Sequence, residues 1–265
     1  MSPAPFGRRA VALTARETHG SYVVLRCQDP SGPDPRPGQF YMLASAERWG
    51  GGDGERPFLP RAFSVLRARG GELQFLIEDV GPGTRRLCEL EPGEELWLVG
   101  PLGNGFTEPA RGRDPLLVGG GVGIAPLAIL QDRLGAHVPV LLGFRDARHA
   151  PGAGLLANAT VATDDGSTGH HGLVTDLLEA ALEENDRLEV YACGPPAMLE
   201  AVRATCVERS VPAQLALESG MACGFGACFG CVVPTVDGYL RLCLDGPVIE
   251  AARLTTAVAY AGARH

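Results

Sequence analysis

The apolar positions fall into two rhythms. Over residues 10–108 they form short runs parted by turn residues, at 10–15, 22–27, 39–43, 62–67, 72–77 and 95–99, with a polar loop at 28–35 and Gly70-Gly71 between two runs. Short β-rich runs, a diglycine hairpin signal and few helical stretches predict a small antiparallel barrel. A Gly-rich insert at 48–60 interrupts this pattern and predicts a surface loop. From residue 109 the rhythm changes: strand-like runs at 116–118, 138–144, 159–163, 188–192 and 214–217 alternate with helical stretches at 125–134, 174–184 and up to 209. In the second of these helices Val174, Leu177, Leu178, Ala181 and Leu182 share one stripe. Strands alternating with helices imply a parallel sheet. The expected class is therefore multi-domain α/β plus β: an N-terminal antiparallel β-barrel over 1–108, a central parallel-sheet nucleotide-binding α/β domain over 109–215, and a small cysteine-rich C-terminal domain over 216–265.

Composition narrows the function. The 265 residues carry 23 basic and 31 acidic side chains, a formal charge of −8, without a basic tail. A nucleic-acid footprint is basic and clustered, so that class is set aside. All 23 basic residues are arginine, which removes Schiff-base and phosphate-loop lysines from the possible chemistry. No apolar run has the length of a membrane span, and the run after Arg8-Arg9 is too short for an export signal and reads as a first strand. Eight cysteines, half of them in one motif, fit a reducing cytoplasm better than a disulfide scaffold.

That motif is Cys223, Cys228 and Cys231, followed by Cys243, with spacing C-x4-C-x2-C-x11-C. The first three follow the plant-type spacing for a [2Fe–2S] cluster. Glycines between them let the backbone curl and bring N–H groups near the sulfurs. Structural zinc is the competing assignment, but zinc sites pair two C-x2-C knuckles and only Cys228 and Cys231 form one. Residues 239–242 read as a strand returning Cys243, with Asp237-Gly238 as its turn. Phe225 and Phe229, within the loop, are candidates for a docking surface or for packing into the domain.

Two barrel features suit a phosphate-bearing ligand. Arg61-Ala62-Phe63-Ser64 offers a guanidinium and a hydroxyl beside an aromatic ring, and Gly81-Pro82-Gly83-Thr84 opens a helix over 85–90, directing amides at an anion. In the α/β region, a strand runs into Gly119-Gly120-Gly121-Val122-Gly123-Ile124-Ala125-Pro126 and then a helix, the dinucleotide-binding arrangement with Ala125-Pro126 where the last glycine usually stands. Cys193-Gly194-Pro195-Pro196 is a second strand–turn–helix junction at the same sheet end. Cys193 reads as a small thiol packed beside a bound ligand or as a catalytic thiol; no histidine is near it in sequence. Cys27, Cys88 and Cys206 sit in apolar patterns as core residues, and His170-His171 as a surface loop without companion ligands. Arg145, Arg148 and Asp146 follow one strand and leave a nucleotide 2′-phosphate and a free ribose hydroxyl equally open.

The order barrel, nucleotide domain, cysteine loop resembles the ferredoxin-reductase superfamily, and within it the electron-transfer subunits of dihydroorotate dehydrogenase B. The resemblance spans nearly the whole chain. It is carried by Glu218-Ser219-Gly220-Met221-Ala222-Cys223-Gly224-Phe225-Gly226-Ala227-Cys228, by Cys243-Leu244-Asp245-Gly246-Pro247-Val248, by Pro37-Gly38-Gln39-Phe40 and by Gly100-Pro101-Leu102-Gly103-Asn104-Gly105-Phe106. The resemblance implies FAD held by Arg61, Ala62, Phe63 and Ser64, by Leu76, Ile77 and Glu78, and by Gly83 and Thr84. It implies one [2Fe–2S] cluster on Cys223, Cys228, Cys231 and Cys243, and NAD(H) at Gly119, Gly120, Gly121, Gly123, Cys193 and Gly194, with Cys193 near the nicotinamide. Ala62 stands where the family's flavin motif has proline; alanine keeps the strand geometry. The implied activity is an electron relay from NAD(H) through flavin and cluster to a flavin-containing dihydroorotate dehydrogenase catalytic subunit, in a heterotetramer. A reductase subunit serving ferredoxin, sulfide or an oxygenase shares the same modules.

Overall fold

The computed structural model describes residues 7–50 and 57–258; residues 51–56 of the Gly-rich insert lie outside them. Six strands, β1 (Arg9–His19), β2 (Tyr22–Gln28), β3 (Phe40–Ser45), β4 (Arg61–Arg69), β5 (Glu72–Glu78) and β6 (Glu95–Leu102), close into a barrel of order β1-β2-β5-β4-β3-β6. Every neighbouring pair is antiparallel. Alternation decides which side chains fill it: Leu13, Leu25, Tyr41, Leu43, Val65, Phe75 and Leu98 meet inside. Between β5 and β6 lies α1 (Pro82–Cys88), which begins three residues before the sequence pattern suggests, because Pro82 takes the first helical position, where its missing N–H costs nothing.

The α/β region contains β7 (Asp114–Gly120), α2 (Ile124–Leu134), β8 (Val140–Phe144), β9 (Ala159–Thr163), β10 (His170–His171), α3 (Val174–Glu184), β11 (Leu188–Cys193), α4 (Pro196–Glu208) and β12 (Ala213–Ala216). The cysteine region adds β13 (Val232–Thr235), β14 (Gly238–Arg241), a one-turn α5 (Leu242–Asp245) and β15 (Val248–Glu250). One sheet runs β10-β9-β8-β7-β11-β12-β15, parallel throughout except that β15 pairs antiparallel with β12. The chain thus returns from the cysteine region to complete the nucleotide sheet. His170-His171, expected as a loop, forms a two-residue exposed edge strand beside β9.

Burial welds the parts together. Tyr22, Val24, Leu66 and Leu76 turn outward from the barrel and pack with Ile124, Leu127 and Phe144. Phe40, Met42 and Leu102, also outward-facing, join a core with Cys231, Val233, Leu242 and Cys243. Strands β2, β3 and β5 are apolar on both faces for this reason.

Candidate active site

Two clefts meet at the C-terminal end of the parallel sheet, where ligands bind in such folds. The first, about 300 Å³, lies on the outer face of the barrel and is lined by Phe40, Arg61, Ala62, Phe63, Ser64, Leu76 and Thr84, and across from them by Gly123, Cys193 and residues 217–221. The two phosphate-suited motifs meet here. A Cβ on Gly83 would lie 2.8 Å from Arg61 Nε, so glycine lets the guanidinium sit close over the turn that opens α1, and a side chain there would push it away. The Thr84 hydroxyl accepts from the Val80 and Gly81 amides and donates to the Gly81 carbonyl, closing its own turn. Of the remaining barrel residues that the family resemblance assigns to the flavin, Ile77 points into the barrel core, and Glu78 faces the second cleft.

The second cleft, about 460 Å³, is walled by Gly120, Gly121 and Val122, by Val174 and Thr175, by Pro195, Ala197 and Met198, and by Arg145 and Asp164. The glycine turn and the Cys193-Gly194 turn touch: a Cβ on Gly123 would stand 2.5 Å from the Cys193 carbonyl oxygen. Cys193 ends β11, between Gly119 of β7 and Ala216 of β12. Burial, with the nearby Glu218 carboxylate, pushes its thiol well above the ordinary range. A thiol shifted in this direction suits packing better than nucleophilic attack.

Val122 and Glu218 are shared by both clefts. Glu218 follows β12, is exposed to solvent in the clefts, and has its pKa raised by desolvation from the protein around them. Sequence reasoning passed over it as part of the cysteine motif. Its signal was a lone carboxylate one residue past a buried strand.

His149 was also missed, for no periodicity marks it. It is buried, with Nδ1 2.7 Å from Asp146 Oδ1 and Nε2 3.2 Å from Glu78 Oε1. Arg145 donates to the same Glu78 oxygen at 2.7 Å.

The four motif cysteines stand as two pairs. Cys231 Sγ and Cys243 Sγ are 3.2 Å apart and buried; the Leu242 amide donates to the Cys231 carbonyl and brings Cys243 alongside. Cys223 pairs with the exposed Cys228. Burial alone would raise the Cys223 thiol, but the amides of Phe225, Cys228 and Ala227 and the Cys228 thiol lower it to about 6. Two thiol pairs ringed by amides fit a cluster of two irons, each iron taking one pair. Among the described residues no three His, Cys, Asp or Glu side chains are drawn together around one centre, so the four cysteines stand as two pairs rather than as one closed set. Phe225 and Phe229 are exposed, as are Val236 and Tyr239, and Arg241 lies over the Phe229 ring at 5.0 Å. The hairpin turn is Val236-Asp237, since Gly238 already pairs with Thr235. Cys27 and Cys206 are core residues, and Cys88 is half-buried.

The family model for the iron–sulfur cluster binding domain of dihydroorotate dehydrogenase B matches residues 218–255. The chain is 39% identical over 226 residues to the electron transfer subunit of dihydroorotate dehydrogenase B (NAD(+)) from Caldanaerobacter subterraneus subsp. tengcongensis, covering 83% of this chain and 87% of that one. The chain belongs to this family of electron-transfer subunits. A probable member from Methanopyrus kandleri is 37% identical over 252 residues, covering 92% and 90%. Among solved structures, an NADH-dependent reduced ferredoxin–NADP oxidoreductase studied for flavin-based electron bifurcation superposes with TM-score 0.79 at 26% identity, covering 93% of this chain and 90% of that one. The ferredoxin reductase of carbazole 1,9a-dioxygenase gives 0.64 at 25% identity, covering 79% and 67%. As a family member the chain is an oxidoreductase subunit. No helix among the described residues is long and apolar enough to cross a membrane.

Proposed function

We propose that this subunit holds FAD in the barrel cleft, NAD(H) in the second cleft and a [2Fe–2S] cluster on Cys223, Cys228, Cys231 and Cys243, and exchanges electrons with a flavin-containing dihydroorotate dehydrogenase catalytic subunit. The observation that carries this is the sharing of Val122 and Glu218 by the two clefts. Ligands in them meet end to end. When bound, the flavin converts a two-electron hydride transfer into the one-electron steps that a cluster accepts.

The chain's own residues do the rest. Arg61 offers a forked donor to a pyrophosphate over the Gly83 turn. Ala62, Phe63 and Ser64 supply the strand against which the ring system lies. Gly120 and Gly121 bring backbone to the second nucleotide's phosphates, Gly119 lets the turn pack closely on α2, and Gly123 and Cys193, which line the barrel cleft, stand with Gly194 where the nicotinamide would meet the flavin. Glu218 holds a proton or a hydrogen bond at the junction.

The 1–108, 109–215 and 216–265 divisions serve as flavin, nucleotide and cluster modules, with β15 tying the last to the second. Phe225 and Phe229 form part of the partner surface. A heterotetramer of two such chains around two catalytic ones is the assembly we favour, in the cytoplasm, where eight unbridged cysteines stay reduced.

The test is to mix the purified, cofactor-loaded chain with the catalytic chain and follow NAD+ reduction driven by dihydroorotate. Flavin and cluster absorbance with coupled turnover is expected. A colourless protein, or a coloured one that couples only to another acceptor such as ferredoxin, would overturn the proposal.

A further inference from the structure

The second cleft carries an uneven charge. Its charged lining groups are three carboxylates, Glu78, Asp164 and Glu218, and one guanidinium, Arg145, beside the imidazole of His149. Arg145 extends from the loop after β8 at the cleft's edge, with a side chain 67% exposed. By position it could pair with a phosphate on the adenosine ribose. It is not free to do so alone, because its Nη2 donates to Glu78 Oε1 at 2.7 Å and lies 3.0 Å from His149 Nε2. Glu78 reaches across from the end of barrel strand β5, so the neutralising charge comes from a different part of the molecule than the arginine.

His149 is fixed from behind. Its Nδ1 contacts Asp146 Oδ1 at 2.7 Å, and Asp146 also accepts from the Arg148 and His149 amides. Asp146 and Arg148, the other residues that could have faced the ribose, are therefore engaged with each other and with this loop. Asp164, at the end of β9, is the exposed carboxylate left at that wall.

We propose that Glu78 and Asp164 together set the coenzyme preference: Glu78 neutralises and restrains Arg145, so that a ribose 2′-phosphate finds no free cation, while Asp164 accepts from a free ribose hydroxyl and repels a phosphate. This inference rests on the assignment of the second cleft to NAD(H). Glu78 then acts as a positioning residue through Arg145, and selectivity for the unphosphorylated ribose comes from repulsion as much as attraction. A carboxylate from the barrel thereby decides specificity in the nucleotide domain.

The experiment uses the FAD-loaded chain, with an artificial electron acceptor, and compares kcat/KM for NADH and NADPH. Binding of 5′-ADP and 2′,5′-ADP is measured by calorimetry on the same preparations, and flavin content by absorbance. Glu78→Gln and Asp164→Ser are each expected to shift the NADPH-to-NADH ratio toward NADPH by about tenfold or more, the size of one charge-assisted hydrogen bond. Adding Arg145→Ala to Glu78→Gln is expected to reverse the shift, which general loosening of the site would not do. Unchanged ratios with 5′-ADP still binding would overturn the inference and leave the nucleotide cleft intact. Failure of 5′-ADP to bind the unmodified chain, or binding undisturbed by a bulky residue at Gly121, would overturn the cleft assignment itself.

Discussion

Gly224 of the cysteine loop rests directly on Met42 of the barrel. Its φ is +77°, and a Cβ there would lie 2.6 Å from Met42 Cγ. Met42 is on the outer face of β3, in register with Ala62 on β4, and both Met42 and Ala62 belong to the core shared with Cys231 and Cys243. This contact seats the cysteine loop against the strands that line the barrel cleft.

Gly224→Ala should therefore lower the cluster content of the purified chain and its stability, by about 1–3 kcal/mol, since both a left-handed backbone and a close contact are violated. Iron content, visible absorbance and thermal unfolding would measure it. Introduced into a Met42→Ala background and compared with Met42→Ala alone, which itself loses core packing, Gly224→Ala should cost less than it does in the parent, because the contact is relieved and the backbone strain is not. No cost at all in that background would show that strain is unimportant.

At the junction of the clefts, Gly123→Ala would force a methyl group toward the Cys193 carbonyl, backbone against backbone, with nothing flexible to yield. We expect NADH-dependent activity to fall at least about tenfold with a stability loss of about 1–3 kcal/mol. Because Gly123 also lines the barrel cleft, flavin content is measured alongside and the activity is expressed per bound flavin. Equal turnover of the variant and the parent would contradict the placement of the two turns.

Glu218 predicts a pH signature. Desolvation by the cleft walls raises its folded-state pKa above the ordinary 4.5, and because the residue still meets solvent the effect on stability is small. The neutral form is thus favoured by folding: the contribution is complete below 4.5 and is lost as pH rises through the raised value. Glu218→Gln, always neutral, should be more stable than the parent at pH 7 and nearly equal to it at pH 4, while turning over NADH more slowly. Denaturant titrations at the two pH values measure this. A stability difference that stays constant with pH would refute the placement of Glu218.

Glu200 predicts the opposite sign. Its carboxylate accepts from Arg203, Thr256 and the Ala257 amide, tying α4 to the segment after β15. These bonds, Arg203 foremost, hold it at about 2 against an ordinary 4.5. Its contribution is present above 4.5 and disappears as pH falls toward 2. Glu200→Gln should destabilise the chain at pH 7, and the difference from the parent should shrink steadily below pH 4.5.

Much of this protein was legible in one dimension. Cysteine spacing with glycine-rich wrapping pointed to the cluster loop over zinc, because ligands held close in sequence leave a short-range pattern, and the family match over residues 218–255 agrees. The barrel and the alternating α/β region followed from apolar rhythm, and Arg61, Gly83, Gly123 and Cys193 from local motifs. Such signals are short-range: each is a turn, a strand or a helix start that its own residues specify. What only the tertiary structure decided is long-range. The side chain of Glu78, expected at the flavin, meets Arg145 and His149, 67 and 71 residues away, at the second cleft. Glu218 gains its raised pKa from desolvation by the walls where the clefts meet. Strand β15 leaves the cysteine region to join β12. None of these is encoded by a neighbour in sequence; each exists because packing brought apolar faces together and left particular polar groups opposite one another.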